Sequence, residues 1–194
     1  MAGYMVCWPQ DRWKEIKKAG DTGPIKVIYG SIHARMPTIA SIKVGDIVFP
    51  VTQMNKHLYV LARLPVTHKE RALDYTMREL GRPCGALGAY GRDKEDNGYP
   101  KFDYYDSLTP TLPHLEHQVP FNCCSQWAVW GEEGSSIEPR QLPDEVLPDL
   151  RFGYPKSKEK ALRFSANGGV LPMSLTATRR MSEETLEIFE GLFR

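Results

Sequence analysis

Residues 42–51 and 57–66 are two apolar, β-branched runs separated by five residues. The first turns on Gly45-Asp46 and continues through Ile47, Val48, Phe49, Pro50 and Val51. The second runs from His57 through Tyr59 and Leu61 to Val66. This pattern predicts a hairpin with strands at 46–52 and 57–64, joined by Gln53-Met54-Asn55-Lys56. Asn55 suits the link because Asn tolerates the left-handed backbone that a tight turn needs. In the second strand Leu58, Val60, Ala62 and Leu64 share one face, and His57, Tyr59, Leu61 and Arg63 share the other. Both faces carry apolar groups, so this strand is expected inside a sheet rather than at its edge. The feature limits architecture far more than chemistry.

The flanking sequence supplies further elements. Asp11 is a good N-cap and Gly20 a plausible stop, predicting a helix over 11–19 with Trp13 and Ile16 on one face near Trp8. Ile25 to Tyr29 reads as a strand, and residues 30–41 as irregular. Thr67 and Glu70 match a capping box, with Leu73, Met77 and Leu80 at helical spacing and Gly81 and Pro83 behind them, predicting a helix over 68–80. Residues 82–118 are rich in Gly, Pro, Tyr and Asp without steady periodicity, and read as an insertion or lid. Residues 121–130 read as a strand on which Cys123, Ser125, Trp127 and Val129 alternate with Cys124, Gln126, Ala128 and Trp130. One helical turn fits 142–150, and a second hairpin fits 161–165 with 170–175 across Asn167-Gly168. Ser182 caps a last helix over 182–193, with Met181 placed to staple onto Leu186 and with Leu186, Phe189, Leu192 and Phe193 as its buried stripe. Roughly six to eight strands and three helices in this order predict an α+β fold, a small curved or barrel-like mixed sheet with flanking helices. One domain is expected over residues 1–194.

Composition narrows the function classes. The net charge of +1 excludes a globally basic nucleic-acid binder, though not a local basic groove, since phosphates respond to nearby Lys and Arg. No apolar run approaches the roughly 20 residues of a bilayer span, so no membrane association is expected. The N-terminal residues lack the basic start and apolar middle of a secretory signal. Four cysteines, two of them adjacent, are too few for a stapled scaffold, and reduced thiols in a cytoplasmic protein are expected.

No motif fixes a reaction. His114 and His117 lie three apart with Cys123-Cys124 downstream, but Pro113 and Pro120 bracket the pair and no second clasp exists, so no metal site is expected. Neither a phosphate-cradling loop ending in Gly-Lys-Ser/Thr nor a dinucleotide fingerprint occurs, which argues against ATP and leaves no cofactor expected. A cysteine on a strand beside tryptophans is more often core filling than a nucleophile.

Aromatic and basic side chains carry more. Rings can stack on an unpaired base while polar groups read its edge. Tyr29, Trp127 and Trp130 fall on expected strands, and Ser31, His33 and Arg35 follow directly after Tyr29. Residues 151–163 hold five cations, Arg151, Lys156, Lys158, Lys160 and Arg163, against one anion, Glu159. That run suits contact with phosphates. Core packing for the rings and simple solvation for the lysines are the ordinary alternatives.

The early helix, the Tyr29-Gly30-Ser31-Ile32-His33-Ala34-Arg35 strand and loop, and Val44-Gly45-Asp46-Ile47-Val48-Phe49 with its following strand together resemble the PUA-like superfamily, which includes PUA, ASCH, EVE and YTH modules. The likeness covers about residues 10–66 and is one of pattern; the ASCH-type Gly-x-Lys-x-x-Glu-x-Arg signature is not matched. The resemblance implies a curved β-barrel with a cleft between barrel and helices, in which RNA, modified DNA bases or nucleotides bind. The first expectation is therefore a nucleic-acid or nucleotide binder. In it Tyr29, Trp127 or Trp130 stack on the base, Ser31, His33 and Arg35 contact its edge, and the 151–163 cations hold the backbone. Two alternatives stand beside it. One is a small hydrolase or nuclease using His33, His57 or His114 with a carboxylate or Cys123. The other is a protein-interaction module, of immunity or inhibitor type, whose contact surface is the 82–118 segment.

Overall fold

The computed structural model describes residues 1–18, 20–30, 39–80, 127–176 and 178–194. The 82–118 segment, Cys84, Cys123 and Cys124, and His114 and His117 lie outside the described residues.

Strand β3 (Ile47–Met54) organises the molecule. It pairs in parallel with β1 (Gly3–Cys7) on one side and antiparallel with β4 (His57–Val60) and β5 (Leu64–Pro65) on the other. The hairpin turn is tighter than expected. Only Asn55 and Lys56 lie between the strands, at φ 49° and 73°, so both adopt the left-handed backbone that two-residue turns demand. Strand β4 also pairs with β8 (Arg140–Gln141), which makes it internal, as its two-sided apolar pattern requires. At the far edge β1 pairs with β11 (Arg179–Arg180). A proline is unusual in so central a strand. Pro50 is tolerated because its carbonyl accepts the Leu61 N–H (2.8 Å) where β3 passes from β5 to β4. Its missing N–H would face the same gap, since N–H and C=O of one strand residue point the same way.

Alternate residues of β3 feed two cores. Ile47, Phe49 and Val51 join Met5, Leu58, Val60 and Phe189 on one face, while Val48 joins Tyr4, Trp8, Ile16 and Leu64 on the other. The C-terminal helix closes the first core. It spans Glu183–Gly191, and Ser182 accepts the Thr185 N–H at 3.2 Å as its cap. Met181 and Leu186 meet in the same cluster, as the staple predicts. Phe189 packs edge to face on Phe49, with centroids 5.5 Å apart at 74°. The first helix, α1 (Gln10–Lys18), closes the second core with Ile16 and Trp13.

A second, three-stranded sheet orders β2 (Val27–Gly30), β7 (Trp127–Trp130) and β6 (His68–Arg71). Here the expected 68–80 helix is corrected. Residues 68–71 are extended, and α2 covers only Ala72–Leu80. Pairing with β7 overrides the local capping pattern. His68 stacks on Trp130 at 3.8 Å and 8°, and Glu70 accepts the Trp130 indole N–H at 2.6 Å. Thr67 Oγ1 contacts His68 Nδ1 (2.9 Å) instead of capping a helix. Ala72 and Tyr75 form the buried face of α2, and Met77 is exposed.

The segment after β8 winds over the first core: a 3-10 turn (Asp144–Asp149), β9 (Arg151–Phe152), a 3-10 turn (Lys156–Lys158), β10 (Lys160–Ala161) and a short helical turn α3 (Pro172–Leu175). The second expected hairpin survives as one bridge, Phe164 to Val170, with Gly168 left-handed. Its second arm is not a strand, because Pro172 starts the α3 turn instead. The fold is α+β, as expected. The described strands form separate sheets and no closed barrel, which corrects the barrel-like expectation. Among the described residues no helix is long and apolar enough to cross a membrane.

Candidate functional site

The register of the second sheet decides where the expected aromatic site stands. Val27, Trp130 and His68 align, as do Gly30, Trp127 and Arg71. Residues three apart on a strand point to opposite faces. Trp130 therefore packs with Tyr29, Tyr75 and Ala128, while Trp127 faces the central core beside Ile28 and Val129. One pocket cannot use both. Tyr29 is buried at 3% exposure, edge-on to Tyr75 at 5.8 Å, so its ring is not open to a base. The Trp130 ring carries His68 and lies 5.0 Å from the Arg78 guanidinium. Trp127 has Lys69 Nζ at 5.1 Å and Arg71 Cζ at 4.8 Å. Ser31, His33 and Arg35 lie outside the described residues.

The basic run divides. Lys158 and Lys160 line a cleft of about 680 Å³ at the β11 edge of the first sheet. The other three do not line it. Arg151 donates to the carbonyls of Pro148 (2.6 Å) and Leu150 (3.0 Å), and so is spent on the preceding turn. Lys156 sits in the field of Glu184, and Arg163 is exposed and acts electrostatically on Arg179 from outside the lining.

Three cations that the sequence reading missed complete the wall: Lys43, Arg179 and Arg180. They come from distant parts of the chain. Lys43 follows the 3-10 turn Ile39–Ser41. The buried Asp46 sets this turn by accepting the Lys43 N–H (2.9 Å) with one oxygen and the Ala2 N–H (2.8 Å) with the other. Gly45, at φ +91°, supplies the left-handed link between them. Lys69 reaches from the second sheet to donate to Ile42 O (2.9 Å), and burial lowers its pKa. The Gly45-Asp46 pair thus does more than open a strand: it aims Lys43.

The β9–β10 hairpin supplies another part of the lining. Gly153 donates its N–H to Arg180 O (2.8 Å), and Phe152 bridges Met181. Gly153 has φ +142°, and a Cβ there would lie 2.6 Å from Lys158 O, so only glycine allows the two strands of this hairpin to close. The Arg180 guanidinium lies 3.9 Å from the centre of the Tyr154 ring. Tyr4 forms part of the floor and donates its hydroxyl to Ser41 O (3.4 Å). Burial, then Asp46, raise the Tyr4 pKa, partly offset by Arg180.

Among the described residues, five cations and no carboxylate therefore line the cleft. Arg179 shows the consequence. Among the described residues its guanidinium donates to the carbonyls of Thr176 (3.2 Å) and Met173 (3.4 Å). Burial first, and Arg163 second, press its pKa below the ordinary guanidinium value. A half-buried cation among like charges is costly until an anion joins it.

The enzyme alternative finds one of its residues paired. His57 Nδ1 lies 2.9 Å from Asp144 and 3.2 Å from Gln141 on an exposed surface. His33, His114 and Cys123 lie outside the described residues. Cys7 is no substitute nucleophile, because burial pushes its thiol up to about 11. No protein-family model matches the chain, and no curated protein matches it.

Proposed function

We propose that the protein binds the phosphate groups of a nucleic acid or nucleotide in the cleft at the β11 edge. The observation that carries this reading is the lining of Lys43, Lys158, Lys160, Arg179 and Arg180, with no carboxylate among the described lining residues. Most surface cations in a chain of near-zero net charge have acidic neighbours; a concentration of one sign in a concave site focuses the field on an anion. The volume of about 680 Å³ falls in the usual range for small-ligand sites. The PUA-like pattern over about residues 10–66 points the same way, because such modules take RNA, modified bases or nucleotides.

The test is affinity for a short single-stranded oligonucleotide over a salt series. Binding should weaken steeply with salt. Lys158→Ala and Lys160→Ala should each lower affinity about three- to ten-fold and flatten the slope by about 0.7 per lost phosphate contact. Arg151→Ala, which lies outside the cleft, should change neither. Salt-independent binding, or an Arg151→Ala effect equal to that of Lys158→Ala, overturns the proposal.

A further inference from the structure

Tyr154 is an unusual residue to find beside a cationic cleft. It is 67% exposed, one of the most exposed large apolar side chains among the described residues. Yet its ring is held. The Arg180 guanidinium lies against it at 3.9 Å, and Gly153, the residue before it, donates its N–H to Arg180 O. The loop behind it is knit by Lys158 N–H to Pro155 O (2.8 Å) and Glu159 N–H to Lys156 O (3.1 Å). That loop places Lys158 and Tyr154 on one wall. The Arg180 cation covers one face of the ring, and the residue is still 67% exposed.

We infer that the cleft takes an unpaired nucleotide, its base laid on the ring of Tyr154 and its phosphate held by the surrounding lysines and arginines. This rests on the phosphate reading above and adds the base to it. An aromatic plane backed by a guanidinium is a ready stacking platform, because every base has a π-face. A bare polyphosphate gains nothing from such a ring. A duplex keeps its base faces stacked inside and gains nothing either. The shared chemistry, one exposed base with an adjoining phosphate, is met by a free nucleotide or by a single strand.

Calorimetric titration of the full chain separates these cases, with four probes: inorganic pyrophosphate, adenosine monophosphate, a ten-residue single strand and its blunt duplex. Tyr154→Ala should weaken the single strand or the mononucleotide about ten-fold or more, and leave pyrophosphate and duplex within about two-fold. Tyr154→Phe should retain wild-type affinity, since the ring and not the hydroxyl is used. An effect on the mononucleotide alone marks a free nucleotide as the source, and an effect on the strand marks a nucleic acid. An exposed residue is not expected to alter the fold, and an unchanged Tm verifies that. If pyrophosphate binds but Tyr154→Ala changes nothing, or changes all probes equally, the stacking inference fails while the phosphate reading stands. If no probe binds, the phosphate reading itself fails.

Discussion

Cys7 ends β1 and lies within the electrostatic reach of Arg179, so it reports on the ground beneath the cleft. Burial raises its pKa to about 11, against the pull of Arg179 in the other direction. An acid whose pKa rises on folding keeps its proton where the unfolded chain has lost it. Its contribution to stability is complete below about pH 9 and is lost as pH climbs toward about 11. Discounted for partial exposure, the loss should be about 1–2 kcal/mol. Urea unfolding of wild type and Cys7→Ala between those limits should show a steeper decline in wild type. Parallel declines would mean that the thiol is not insulated from water. At the same scale, Lys43 and Arg179 show why the cleft resists sequence reading. Lys43 stands alone in its segment and Arg179 sits beside Arg180 far along the chain, and only the parallel pairing of β1 with β3 and the antiparallel pairing of β1 with β11 bring them together.

Local elements behave as their residues dictate. The β3–β4 hairpin places Lys56 at φ 73°, a backbone that suits glycine far better. Lys56→Gly should therefore stabilise the protein by about 0.5–1 kcal/mol, the left-handed penalty relieved minus the added freedom of the unfolded chain. A fall in the denaturation midpoint would refute it. This hairpin, α1 and the Ser182-capped helix were legible in the sequence because each is specified within a few residues: Asn55 at the turn, Ser182 with Met181 and Leu186 at the last helix, and at the first helix Asp11, which lies inside the first turn of Gln10–Lys18 rather than at its N-cap as expected. Residues 68–71 were not. Their helical pattern is local, whereas the partner that draws them into a strand, β7, is about sixty residues on; the Trp130 indole N–H to Glu70 bond spans 60 positions. The arm after Val170 failed for a local reason, since Pro172 is well suited to the first turn of a helix.

Across the whole molecule, the cleft draws only Lys158 and Lys160 from the residues singled out in the sequence. The sequence grouped rings and cations by their density along the chain, but strand alternation had already separated Trp127 from Trp130. Density in sequence found Lys158 and Lys160 because a hairpin keeps neighbours together. The adjacent pair Arg179-Arg180, just ahead of the Ser182 cap, was the available signal for the rest. The sheet that carries this edge also has an unshared centre: successive side chains of β3 serve opposite cores. Neither hydrophobic layer can melt without stripping the same ladder of backbone bonds from the other. Amide protons of Ile47, Val48, Phe49 and Val51 should accordingly exchange with deuterium only through global opening, with protection equal to the full unfolding free energy measured in denaturant. Heating should show one cooperative transition, and a calorimetric trace with two peaks would mean that the halves come apart on their own.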